Sequence, residues 1–529
     1  MKYSLVRKNL SVLLVLILTV TALTAFPFGA AADPAEGLLL GDVDADGRIM
    51  ARDARAILRC SARLEVLSNE PIADIDGDGT ITARDARTAL RMSAKLEPTI
   101  LFTERAESPS DAMMAAAATY PAYPRAPIQD DYDNLNDYYT AHRAWSDETR
   151  RLRTLENGRR TGYDNFFRDS VCVLTADNED ENFVFSPLSA FLALGMTAEV
   201  TGAETRRQIL HALNETDLAG LRADARALWQ SVYRDDGRLK CLLADSIWLN
   251  DRLSYDPDVL DTVAANYYAS SFRGDPRDEA YNARLQAWLN EQTDDLLADA
   301  VKSIRFPEHL IITLASTVYY SGRWVDPFSA AATTEDVFHK VNGDVLCDFM
   351  RSETAMSYWW SDSFSAISLP LTDGSSMKLL LPDEGIRPEA LFADAQAVDF
   401  LLTGGAHTEE RVVKVALSLP KFDVYSKTDL VKELPKLGIT DVFDPNRADF
   451  SPLVPYATDP IAVTSAEQDA RVLVDEDGCR AVAITVITAD GSAMPPNERV
   501  EFRLDRPFVF EIMSASGLPL FVGVVNRPA

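Results

Sequence analysis

The chain has 529 residues, 47% of them hydrophobic, and its 81 acidic against 52 basic side chains leave a formal net charge of −29. That length supports more than one domain, at least one with a large core. The acidic balance argues against nucleic acid as a partner, because a phosphate backbone is held by clustered Lys and Arg. Lys2, Arg7 and Lys8 precede an apolar run from Leu10 to Phe28, and Ala30, Ala31 and Ala32 follow. A basic start, an apolar stretch and a small-residue cleavage site predict an export signal over residues 1–32. No later segment has the length of a membrane span, so the cleaved product is expected to be secreted. Cys60, Cys172, Cys241, Cys347 and Cys479 are scattered and lack the spacing of a zinc site or disulfide framework.

A duplication follows. DVDADGRIMARDARAIL begins at Asp42 and DIDGDGTITARDARTAL at Asp74, 32 residues on. Asp42, Asp44, Asp46 and Asp53 take the first, third, fifth and twelfth places of an EF-hand-type loop, and Gly47 takes the sixth, where the chain turns sharply. The second copy places Asp74, Asp76, Asp78, Asp85 and Gly79 identically. Calcium requires six or more oxygens, and alternate residues of a curling loop converge on one centre. The backbone carbonyls of Arg48 and Thr80 complete the pattern, so two calcium ions are expected. Apolar positions at helical spacing (Ala54, Ile57, Leu58; Ala86, Ala89, Leu90) predict a helix after each loop. Over residues 33–98 this loop–helix repeat resembles a type I dockerin, a small all-α module. The resemblance implies docking onto a cohesin of a cellulosomal scaffold through the tenth and eleventh loop positions, here Ala51 and Arg52, and Ala83 and Arg84. Because both copies read Ala-Arg-Asp-Ala-Arg, two docking orientations related by a half-turn are expected.

Residues 99–160 read as a flexible linker: Ser108-Pro109-Ser110 and the Ala- and Pro-rich run to Pro127 have no periodic apolar face. Beyond it, over residues 161–529, long helical patterns alternate with strand runs such as VVKVALSLPKFDVYS from Val412, an α+β composition with large antiparallel sheets. The motifs FSPLS from Phe185, TVYYSGRW from Thr317, LPKFDV from Leu419, LGITDVF from Leu437, DEDG from Asp475 and DRPFVF from Asp505 occur in an order that resembles the serpin family. The resemblance implies three β-sheets, eight or nine helices and an exposed reactive loop before DRPF. It further implies suicide inhibition, in which a protease attacks the loop and the loop then inserts into the main sheet, dragging the enzyme with it.

The loop carries its own physical signature. From Cys479, the alternate residues Ala481, Ala483 and Thr485 are small, whereas Arg480, Val482 and Ile484 between them are larger. Alternate residues of a strand share a face, so one face suits a crowded interior. Glu476 and Gly478 precede this set as a hinge, and the scissile bond is expected between Ser492 and Ala493. A small residue before the cut suits an elastase-like or subtilisin-like serine protease. The resemblance also implies that Ser186, Ser189, Ser316 and Gln468 form a polar cluster controlling sheet opening. The rival reading is a non-inhibitory serpin acting as a protease decoy or binding protein. HExxH, GxSxG and phosphate-loop patterns are all missing, so the chain is not expected to be an enzyme.

Overall fold

The computed structural model describes residues 39, 41–43, 48–61, 67, 70–73, 75, 81–93, 113–118, 120, 124, 127, 129, 132, 134–153, 160–174, 180–235, 240–292, 302, 304–308, 310–403, 409–457, 460–463, 466–479 and 498–528. They belong to two units, one within residues 20–112 and one running from 113 to 529. The expected export signal lies outside the described residues.

In the smaller unit, helices α1 (Ala51–Ser61) and α3 (Ala83–Ser93) pack on each other, with a single turn of helix, α2 (Glu70–Ala73), between them in sequence. Ile49, Ala54, Ile57, Ile75, Ala86, Ala89 and Met92 form its core. In each long helix the acidic third residue reaches back to the backbone just before the first turn. Asp53 Oδ2 accepts the Met50 N–H at 2.8 Å, and Asp85 accepts Thr82 N–H at 2.9 Å and Ile75 N–H at 2.8 Å. Leu58 and Leu90, named among the apolar positions of these helices, are about half exposed, because Ile57 and Ala89 one step earlier occupy the core-facing stripe.

The larger unit contains, among its described residues, nine α-helices: α4 (Leu135–Arg153), α5 (Arg160–Leu174), α6 (Pro187–Val200), α7 (Ala203–Ala212), α8 (Leu218–Val232), α9 (Pro257–Asn266), α10 (Glu279–Gln292), α11 (Ala395–Thr403) and α12 (Leu430–Glu433). One sheet runs β1 (Met114–Ala116), β5 (Ala269–Gly274), β4 (Lys240–Asn250), β6 (Ile312–Arg323) and β14 (Gly478–Cys479), with β3 (Arg234–Asp235) beside β4. A second runs β15 (Arg499–Arg503), β11 (Glu409–Pro420), β8 (Gly343–Trp360), β9 (Phe364–Pro370), β10 (Ser376–Pro382), β16 (Phe508–Met513), β17 (Pro519–Val525) and β2 (Phe183–Phe185), with β7 (Thr334–Lys340) beside β8. The third is only β12 (Phe422–Asp429) and β13 (Glu467–Val474).

The first sheet is packed on both faces. Leu243, Ile247, Leu314 and Val318 point to the large core around α6, whereas Ala244, Trp248 and Ala315 point to a smaller one holding Tyr281 and Trp288 of α10. Ser186 caps α6, accepting the Ser189 N–H, and Pro187 opens its first turn. Almost every residue of α6 is buried, as its largely apolar sequence dictates.

The region expected as a flexible linker is partly built into this unit. Strand β1 pairs antiparallel with β5, and Ala118 N–H donates to Ser270 Oγ at 3.2 Å. Tyr120 stacks on Trp229 and Tyr233, with ring centroids 5.7 and 6.1 Å apart. Helix α4 covers 19 residues, and its Trp145 Nε1 donates to the Pro124 carbonyl at 2.9 Å. The order comes from partners distant in sequence, a sheet edge and an aromatic platform, which a search for local periodicity misses.

Candidate functional site

Strand β6 is paired along its length with β4, and on its other side, among the described residues, only with the two residues of β14. Among the described residues strand β13 pairs only with β12. The chain leaves β13 at Val474, turns, and returns as β14, with Asp475 bridged to Gly478, Gly478 opposite Arg323 and Cys479 opposite Gly322. Strand β14 therefore occupies the first two rungs of a position between β13 and β6. Below it those two strands share no ladder among the described residues.

The turn at the head of this slot is held from several sides. Asp475 Oδ1 accepts the N–H groups of Asp477 and Gly478 at 3.0 and 3.2 Å. Trp324 Nε1 donates to the Asp475 carbonyl at 3.0 Å, and Phe328 N–H to the Glu476 carbonyl at 3.0 Å. Glu476 Oε1 meets Lys421 Nζ at 2.9 Å and Thr333 Oγ1 at 2.8 Å. Burial pushes the Glu476 carboxyl up, but Lys421 and Thr333 outweigh it and hold it below its ordinary range. Gly478 has φ of 140°, and a Cβ there would overlap the Gly322 carbonyl and lie 2.7 Å from Arg323 Cα. Only glycine satisfies both demands.

Lower in the slot, a polar chain joins its two sides. Gln468 of β13 accepts the Ser186 N–H at 2.8 Å and donates to the Ser186 carbonyl at 3.1 Å. Ser189, one turn into α6, shares a hydrogen bond of 2.8 Å with Ser316 of β6. The four residues of the expected polar cluster are thus brought together on the N-terminal turn of α6. Behind Ser316, directly across the ladder, stands Asp245 of β4, 1% exposed.

In the smaller unit, Asp42, Asp53 and Asp85 are almost completely buried at the loop ends, whereas Arg48 is exposed. Carboxylates kept out of water at these places are the hard oxygen donors that a dication such as calcium selects. The other expected ligands, Asp44, Asp46, Asp74, Asp76, Asp78 and Thr80, lie outside the described residues. Ala51 and Arg52 are exposed at the start of α1, and Ala83 and Arg84 open α3.

Residues 163–528 match the family model for Serpin (serine protease inhibitor). The chain belongs to the serpin family. Serpin-Z1C of Triticum aestivum is 30% identical to it over 364 residues, 66% of this chain and 90% of that protein. A serine protease inhibitor of Cyanea capillata is 27% identical over 372 residues, 67% and 95% of the two chains. The thermophilic serpin tengpin, solved in its native state, superposes with a TM-score of 0.61 at 25% identity, covering 71% of this chain and 95% of that one. Residues 40–89 match the model for the Dockerin type I domain, a calcium-binding module.

In this serpin the expected hinge residues Ala481, Ala483 and Thr485 and the expected scissile pair Ser492 and Ala493 lie outside the described residues, and Cys479 is placed by its backbone alone. Sequence reading missed Trp324, Phe328, Thr333 and Lys421 as the clasp of the hinge, although TVYYSGRW and LPKFDV contain two of them. It also missed Asp245. The available signal there was a lone carboxylate inside the apolar strand CLLADSIWL from Cys241.

Proposed function

We propose that this serpin is a secreted inhibitor of serine proteases that acts by loop insertion and is moored to a cellulosome scaffold through its dockerin. The observation carrying the inhibitory reading is the register of β14. Continued along β6, it sets Ala481 opposite Tyr320, Ala483 opposite Val318 and Thr485 opposite Ser316. Continued along β13 from the bridge between Asp475 and Gly478, it sets the same residues beside Val472, Ala470 and Gln468. Opposed residues in a ladder share a face. Val318 and Tyr320 pack on the large core, and Ala470 and Val472 are buried there. The small set would thus enter the crowded face, with Thr485 arriving between Ser316 and Gln468. Each rung adds backbone hydrogen bonds and apolar burial that the native sheet lacks, a source of work on an attached protease.

The dockerin reading rests on matching exposed faces. Ala51, Arg52, Arg55, Leu58 and Arg59 lie on the open side of α1, and Arg87, Leu90 and Arg91 stand exposed on α3, each 32 residues after its counterpart. An exposed leucine ringed by arginines on each helix supports a cohesin surface present in two copies. Two bound calcium ions, held by Asp42, Asp44, Asp46, Arg48 and Asp53 and by Asp74, Asp76, Asp78, Thr80 and Asp85, would neutralise the loop carboxylates and fix both helices.

The deciding experiment mixes the protein with a subtilisin-like and an elastase-like protease and resolves the products in SDS. An SDS-resistant complex, with cleavage between Ser492 and Ala493, is expected. Clean cleavage without a complex would replace inhibition with a decoy role.

A further inference from the structure

The carboxyl of Asp245 sits beneath the sheet, one strand from the slot, and the groups around it are nearly all uncharged. Ser316 of β6 stands across the ladder and Ala269 of β5 on the other side. Tyr120, from the segment that leads into β1, is the titratable group facing it, with Tyr233 at the end of α8 beside that ring. Neither Asp245 oxygen has a well-aligned hydrogen bond among the described residues, and the neighbouring Ser316 hydroxyl is engaged with Ser189 at 2.8 Å.

We propose that Asp245 makes opening of the slot proton-dependent: protonated, it keeps the sheet closed, and ionised, it favours the entry of a strand. The inference rests on the slot accepting a strand, as proposed above. The hydrogen bond between Ser189 and Ser316 survives in both states, since either hydroxyl can donate. What changes is the cost of keeping the carboxyl dry. Because β6 and β13 are joined by the polar chain on α6 and not by a ladder, opening means that their two sides move apart there, and water then reaches Ser316 and the group behind it, which relieves a carboxylate but is indifferent to a neutral acid. Burial pushes the carboxyl up to about 7, against a smaller downward pull from Ser316. Burial, Asp245 and Tyr233 all push the Tyr120 phenol above its ordinary value, so it stays neutral when Asp245 ionises.

The sign is therefore fixed. For an acid whose pKa is raised in the closed state, that state is fully stabilised below the ordinary value of 3.8 and loses its advantage as the pH rises to about 7. Opening should accelerate by at most about tenfold per pH unit over that window and level off above it. The probe is an N-acetylated peptide copying Arg480–Ala489, which has no group titrating between pH 5 and 8. Its rate of annealing into the full chain, with calcium present, is read by fluorescence anisotropy. The native protein should anneal faster from pH 5 to 7 with a plateau beyond. Asp245→Asn should be slow and flat, and Ser316→Ala should move the plateau to higher pH. A flat native profile, or an unchanged slope in Asp245→Asn, overturns the proposal. Failure of the peptide to enter at any pH in any variant overturns the slot itself.

Discussion

Placing a carboxylate on either side of the loop tests the parity on which inhibition depends. Ala483→Glu would insert its charge between Val318 and Ala470, facing the large core, whereas Val482→Glu would fall beside Arg471 on the opposite face. An unpaired charge in a buried site costs about 3 kcal/mol or more. If insertion feels the whole of that, its rate falls roughly 150-fold against deacylation, and by about 12-fold if only half is felt in the transition state. Either figure converts a trap into a substrate. The assay is the fraction of protease held in SDS-resistant complex against the fraction of loop cleaved, at increasing inhibitor ratios. Ala483→Glu should require more than about ten molecules for each protease trapped, with Val482→Glu close to the native protein. Equal behaviour of the two variants, or continued trapping by Ala483→Glu, would refute the register drawn from Gly478 and Cys479.

Gly478→Ala should release β14 from β6 and destabilise the native state by about 1–3 kcal/mol, read from the denaturant midpoint, because both its φ and its crowding by Arg323 forbid a side chain. Lys421→Ala should cost about 1–2 kcal/mol at neutral pH by freeing Glu476. Since that carboxyl is held below its ordinary 4.5, the contribution is present above that value and is lost as the pH falls through the lowered folded value, so native and variant melting curves should converge in acid. Chelation with EDTA should abolish the helical circular dichroism of the unit holding α1 and α3, whose core is small, and leave the melting of the larger unit unchanged. Leu58→Asp or Leu90→Asp alone should preserve cohesin binding by calorimetry, and the double variant should lose it. Loss in either single variant would exclude two equivalent faces.

What could be read in the chain was whatever is encoded locally. Each acidic loop is encoded within a dozen residues, so Asp42, Asp53 and Asp85 stood out as expected ligands one by one, and the alternation of bulk after Gly478 could be seen without a sheet in view. The clasp on Glu476 was not legible, because Thr333 and Lys421 come from strands or turns far along the chain and nothing in either neighbourhood names the other. The spacing of Leu58 and Leu90 foretold the helices but not their exposure, because periodicity marks an apolar residue and not whether its stripe is already filled. Met114 and Tyr120 read as tether because the surfaces that fix them, β5 and Trp229, are built from residues more than a hundred positions later.

The pairing of β1 with β5 bears on how molecules of this protein could stick to one another. A sheet polymerises through whichever border leaves amide groups unmatched. Here one border carries the short strand β1, and, among the described residues, the border that is free along most of its length belongs to β6, beside the turn at Gly478. If the loop inserts as proposed, it competes with other chains for the border of β6 at the high effective concentration of a short tether. Conditions that weaken the hinge clasp should therefore favour ordered, head-to-tail polymers over amorphous precipitate.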